Sequence, residues 1–210
     1  MRTIPIALLL LGTLAAAQTK APPRKTPAPP TRAVADPDEG SVSDDTYTNR
    51  FFGFEYTFPE HLDVQDQSSF MEGQLDQSNR SFILLAAFGM AENERGREGV
   101  VLIADNAAAY PGLADAGGYL DKVARPLAEK QGFRVMIPAR PVELAGQKFF
   151  RMDFTRDDVQ QAALITIRRG YALSFTLIAP NHHRLQVLAD SLQTLKFTGV
   201  ALPAAPPRTK

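Results

Sequence analysis

The sequence predicts an α+β fold, an antiparallel β-sheet covered by two main helices, and three observations predict it. Four strand-length segments follow one another with only short turns between them over residues 133–179, the order of an antiparallel meander. One segment before this meander and one after it carry apolar residues at three- and four-residue steps, as amphipathic helices do. The stretch YTNRFFGFEYTFPE (Tyr47–Glu60) places Phe52, Phe54, Tyr56 and Phe58 on one side of a period-two pattern and Gly53, Glu55 and Thr57 on the other, as in a half-buried strand.

In chain order, the first strand is this aromatic run, closed by Pro59. SFILLAAFGM (81–90) and GVVLIADN (99–106) are continuous apolar runs of strand length, and the charged, glycine-bearing AENERGREG between them predicts a hairpin. DAGGYLDKVARPLAEKQG reads as the first helix, with Leu120, Val123 and Leu127 on one side and Gly132 at the C-terminal cap. Pro126 inside it predicts a kink or a split, because proline has no N–H and crowds the preceding turn.

FRVMIPARPVELAGQ then supplies one or two strands bent at Pro138 and Pro141, and KFFRMDFT follows with Phe150, Met152 and Phe154 in register. QQAALITIRR and YALSFTLIA, joined through Gly170, complete the meander, with Ala172, Ser174 and Thr176 as a small-residue face against Tyr171, Leu173, Phe175 and Leu177. The closing helix is capped by Asn181, carries Leu185, Leu188, Leu192 and Leu195 on one face, and ends at Thr198–Gly199. No internal repeat is present.

The chain's two ends read differently. MRTIPIALLLLGTLAAAQ has the three parts of a secretory signal: Arg2, the apolar run Ile4–Leu14, and Ala15-x-Ala17 before the cut, giving a signal peptide over residues 1–17. The run is short of the ~20 apolar residues that span a bilayer. Residues 18–46 have the composition of a disordered, proline-rich linker, in which Lys20, Arg24, Lys25 and Arg32 precede Asp36, Asp38, Glu39, Asp44 and Asp45. Residues 47–199 form the domain, and 200–210 a disordered C-terminal tail.

Composition excludes several functions. The 210 residues include 23 basic and 23 acidic side chains, intermixed, so no electrostatic case exists for nucleic acid. With no cysteine there is no disulfide, thiolate metal site, cysteine nucleophile or Fe–S cluster.

The signatures NRFFGFEYTFPE and VELAGQKFFRMDF, set in this order of elements, resemble the PsbP-like and DcrB-like α/β/α sandwich. The extrinsic photosystem II protein, DcrB-type bacterial envelope proteins and a Ran-binding nuclear import factor share this fold. The resemblance covers most of residues 47–198. It implies a non-enzymatic accessory or binding module and carries over no catalytic residues.

The residues themselves agree in assigning no catalytic, cofactor or metal site and no cofactor. There is no G-x-S-x-G, P-loop, G-x-G-x-x-G or H-E-x-x-H. His182 and His183 are adjacent, so on a helix they point ~100° apart and cannot chelate one ion as an i, i+4 pair does. They are expected as surface residues of a first helical turn, and His61, beside Glu60, as a plain loop residue. DPDEG (36–40) lacks the later ligands of a calcium loop, Asp153 is expected to face outward on its strand, and Asp157–Asp158 is a turn. NRS (79–81) is only a glycosylation spelling.

The function expected is therefore an exported, non-catalytic binding or accessory module of the cell envelope, periplasmic or extracellular. Its partner would be another envelope protein or assembly. Two alternatives stand beside it: a small hydrophobic-ligand carrier, needing a cavity of ~300 Å³ or more, and a hydrolase using paired carboxylates.

Overall fold

A computed structural model describes residues 37–38, 40–65, 81–91, 96–113 and 115–198. The predicted signal peptide, residues 18–36 of the predicted linker and the tail 200–210 lie outside the described residues. The strands are β1 (Gly40–Ser43), β2 (Thr46–Asn49), β3 (Phe54–Thr57), β4 (Asp63–Val64), β5 (Ser81–Met90), β6 (Arg97–Asn106), β7 (Arg134–Leu144), β8 (Gln147–Arg156), β9 (Val159–Arg168), β10 (Tyr171–Ala179) and β11 (Lys196–Phe197). Helix α1 covers residues 116–130, and α2 covers His182–Ser191.

The large sheet has the order β4-β5-β6-β10-β9-β8-β7, antiparallel throughout, so β7 to β10 form the predicted meander and β10 docks on β6. The turns of the meander are two-residue hairpins. Ala145–Gly146, Asp157–Asp158 and Arg169–Gly170 separate the last pairs of each ladder, and Ala145, Gly146, Asp157, Arg169 and Gly170 all have positive φ. Such left-handed turns match the twist of the flanking strands. Pro138 and Pro141 bend rather than split β7. It is an edge strand, where a missing N–H is tolerated, and its register slips between Val135 and Ile137 and again before Arg140.

Alternation along the strands sends side chains to two faces. On one, Phe149, Leu164, Leu173, Phe175 and Leu177 pack with the aromatics of a smaller sheet, β1-β2-β3-β11, and with Leu185, Leu188 and Leu192 of the α2 segment. On the other, Met152, Phe154, Ala163, Ile165 and Ala172 pack under Leu120 and Val123 of α1. The layers are thus α1, the seven-stranded sheet, and α2 with the small sheet. Phe175 joins them, its ring lying 5.8 Å from Phe54, 6.0 Å from Tyr56 and 6.0 Å from Phe149.

Several boundaries differ from the sequence prediction. Among the described residues the first strand, β1, starts at Gly40, inside the predicted linker, and covers the buried ring of Tyr47; a Cβ on Gly40 would lie 2.1 Å from the Tyr47 hydroxyl. Asn49 Nδ2 also donates to Pro37 O (3.0 Å), tying down the approach. The aromatic strand is only Phe54–Thr57. Phe52 precedes it in a turn in which Asn49 Oδ1 accepts from Phe52 N (2.8 Å) and Gly53 takes φ 63°, yet Phe52, Phe54, Tyr56 and Phe58 are all buried.

Pro126 does not split α1. The turn before it, Leu120–Ala124, widens to a π-helix in which the Arg125 N–H reaches back to Leu120 O, which makes room for the proline ring. The closing helix stops at Ser191 with a 3₁₀ turn, Leu192–Thr194, short of the expected Thr198–Gly199. The chain is diverted there because Thr194 Oγ1 donates to Thr57 O (2.7 Å) and Lys196–Phe197 pairs with β3.

Candidate functional sites

The densest polar cluster forms where three separate segments meet. On β6, Glu98 shares a face with Val100, Leu102 and Ala104, so its carboxylate points into the core; it is 0% exposed. Arg184 reaches it from the first turn of α2, a turn held by Asn181 Oδ1 accepting from Arg184 N (2.9 Å). Arg184 Nε donates to Glu98 Oε2 (2.9 Å) and Arg184 Nη2 donates to Oε1. His61 Nε2 donates to the same Oε1 (2.5 Å) from the turn closed by Leu62 N donating to Pro59 O. Gly89 admits this turn, since a Cβ there would lie 2.2 Å from His61 O.

Burial raises the Glu98 pKa, but the hydrogen bonds from Arg184 and His61 outweigh it and hold the carboxyl below its ordinary range. A carboxylate gripped at both oxygens is a weak base, and the cluster acts as a clamp tying the 58–62 turn, β6 and α2 together. The expectation that His61 is a plain loop residue is corrected here: it is a hydrogen-bond partner of the buried Glu98, whereas Glu60 is exposed. The missed signal is the alternation Glu98-x-Val100-x-Leu102, hidden when the strand is started at Gly99 instead of Arg97.

Among the described residues two further carboxylates are buried. Asp105, at the far end of β6, accepts from the Tyr119 hydroxyl of α1; burial pushes the Asp105 carboxyl up, and burial together with the charge of Asp105 raises the Tyr119 hydroxyl. Asp153 does not face outward as expected. It is fully buried, accepts from Arg151 Nε (2.6 Å), and lies 3.9 Å from Arg140 Nη2. The alternation is correct, but the face it points to is covered as well, because the sheet is packed on both sides.

These carboxylates do not converge. Glu98 and Asp105 are seven residues apart on one strand and face opposite sides, which places them ~23 Å apart along it. Asp153 aligns through Ala162 and Leu177 with Val100, so it stands roughly 16 Å from Glu98 by strand spacing. Glycosidase pairs work at about 5–9.5 Å.

His182 and His183 are exposed in the first turn of α2, as expected. No group of three or more His, Asp or Glu able to hold a metal ion occurs among the described residues. A groove of about 490 Å³ beside the β7–β8 turn is lined by Pro141, Val142, Glu143, Gly146 and Lys148, of which all but Val142 are exposed, so it is a surface feature. The aromatic face is closed on itself: Tyr47 and Tyr56 are buried deeply enough to push each hydroxyl up to about 12.

Helix α1, the antiparallel sheet, and the layer of α2 with the small sheet define an α/β/α sandwich protein of the α+β class. Among solved structures, the chain is similar to cyanobacterial PsbP from Synechocystis sp. PCC 6803, with a TM-score of 0.50 and 14% identity over 76% of this chain and 98% of that one. That likeness shows a PsbP-like fold. A Pseudomonas aeruginosa protein of unknown function, PA94, is 21% identical over 64% of this chain and 95% of its own, with a TM-score of 0.38. No protein-family model and no curated protein matches the sequence. No helix among the described residues is long and apolar enough to cross a membrane.

Proposed function

We propose that this chain is a non-catalytic binding or accessory module of the cell envelope, exported through its N-terminal signal and docking on another envelope protein or assembly. The observation that carries this reading is that each buried carboxylate among the described residues is engaged, through one oxygen or both, in holding the fold: Glu98 by Arg184 and His61, Asp105 by Tyr119, Asp153 by Arg151. A hydrolase using paired carboxylates needs two that meet, and the buried ones stand far apart. A hydrophobic-ligand carrier needs its aromatic face to line a cavity, and here Phe54, Tyr56, Phe149 and Phe175 fill that space with one another.

The test is affinity capture of the mature protein from its own envelope extract, with identification of what co-purifies. A reproducible protein partner, lost on competition with untagged protein, is the expected result. Recovery of nothing reproducible, or appearance of the protein in the cytoplasmic fraction, overturns the reading.

A further inference from the structure

The turn between β9 and β10 carries two successive arginines, each with its guanidinium over an aromatic ring. Arg168 is the last residue of β9 and shares a face with Leu164 and Ala162, so its side chain runs toward the small sheet. Its Nε donates to Phe52 O (2.5 Å), and its guanidinium carbon lies 4.5 Å from the centre of the Phe197 ring. Arg169 follows at the first turn position with φ 52°, its guanidinium carbon 5.2 Å from the Phe51 ring centre. Phe51 is itself braced by edge contacts with Phe52 (4.8 Å) and Tyr171 (5.8 Å).

Two features of this corner are unsatisfied. Among the described residues the buried Arg169 Nε has no hydrogen-bond partner, and no carboxylate pairs with either arginine. Partial burial, and then the adjacent charge of Arg169, hold the Arg168 guanidinium below its ordinary pKa. The backbone is also strained for this residue type. Left-handed turn positions favour Asn, Asp or Gly, which Asp44, Asp45 and Asp157 illustrate here, and an arginine gains no local hydrogen bond in return. The repulsion between two cations on rigid aromatic platforms is relieved by an oxyanion, which accepts from several N–H groups and neutralises both charges.

We propose that the β9–β10 turn is an anion site, at which Arg168 and Arg169 together hold one carboxylate or phosphate group. The site rests on this corner alone and requires nothing about the protein on which the domain docks. Among the described residues Arg168 spends only its Nε–H on the protein, which leaves its outer N–H donors and those of Arg169 to form the cradle.

The test is a titration of the folded protein with inorganic phosphate and, separately, with sodium acetate, at constant ionic strength, following the arginine side-chain Nε–Hε resonances. Saturable shifts confined to Arg168, Arg169 and their aromatic neighbours are expected. Stronger binding of phosphate assigns the site to phosphate-bearing ligands; equal or stronger binding of acetate assigns it to carboxylates. Arg169→Gln, checked for folding by its backbone spectrum, is expected to weaken the better ligand about tenfold, the loss of one charge-assisted hydrogen-bond set. Absence of saturation with both anions overturns the proposal, and so does an unchanged affinity in the folded variant. If the variant does not fold, the titration of the parent protein decides alone, and either outcome leaves the envelope-capture experiment independent.

Discussion

At the scale of the residue, stability follows how each buried charge is partnered. Glu98 is completely enclosed and Arg184 nearly so, so removing the carboxylate leaves a buried cation that has lost a two-point partner. Glu98→Ala is expected to cost about 3–5 kcal/mol in a denaturant titration. The pH dependence has a definite sign. The Glu98 carboxyl is held below its ordinary value of 4.5, so its contribution is fully present above that pH and is lost as the pH falls through the depressed folded value. The parent protein should therefore lose stability below pH 4.5 more steeply than Glu98→Ala does.

Asp105 has the opposite sign. Burial raises its carboxyl above 3.8, so folding loses stability as the pH rises from there through the raised value. Asp105→Asn keeps an acceptor for Tyr119 and removes the charge. It should be at least as stable as the parent at pH 7, with a flatter profile; a marked loss of stability at pH 7 would show that the charged form is wanted. Neither role is legible in the sequence. A glutamate at the start of a strand and a histidine after Pro59 are ordinary, and only the meeting of three segments separated by up to 123 positions makes them a cluster.

At the scale of the element, local chemistry was a better guide. The Asn181 cap, the leucine stripe of α2, the two-residue turns of the meander and the small-residue face of β10 all follow from rules that act within a few positions. Asn181→Ala should cost about 1 kcal/mol by thermal or chemical melting, and should loosen the first turn that aims Arg184 at Glu98. If amide exchange of that turn is unchanged, the cap does not position the clamp. Element ends were less legible where a distant contact sets them. Thr194 leaves its helix for Thr57, and the π-turn before Pro126 is one of several ways to admit a proline, selected by the packing of Leu120 and Val123 on the sheet.

At the scale of the whole molecule, the small sheet closes the core on the face opposite α1, and its first strand precedes the aromatic run. β1 is exposed along its whole length and carries no apolar alternation, so its composition reads as linker, although it covers Tyr47. A chain beginning at Tyr47 should melt at a lower temperature than one beginning at Pro37, because β2 keeps only its pairing with β3 and Tyr47 loses its cover; equal melting temperatures would make β1 dispensable.

The sequence by itself determined the class of fold, the order of the meander and the two helices, because alternation, helical periodicity and turn residues are properties of neighbouring positions. It also marked Phe52, Phe54, Tyr56 and Phe58 as core, although only Phe54 and Tyr56 lie on the strand whose alternation predicts it. Only the tertiary structure decided that the face carrying Asp153 is covered, that Arg184 and His61 meet Glu98, and that two arginines share an aromatic corner. Each depends on what covers a face or meets a strand end, and that is set by contacts between residues far apart in the chain.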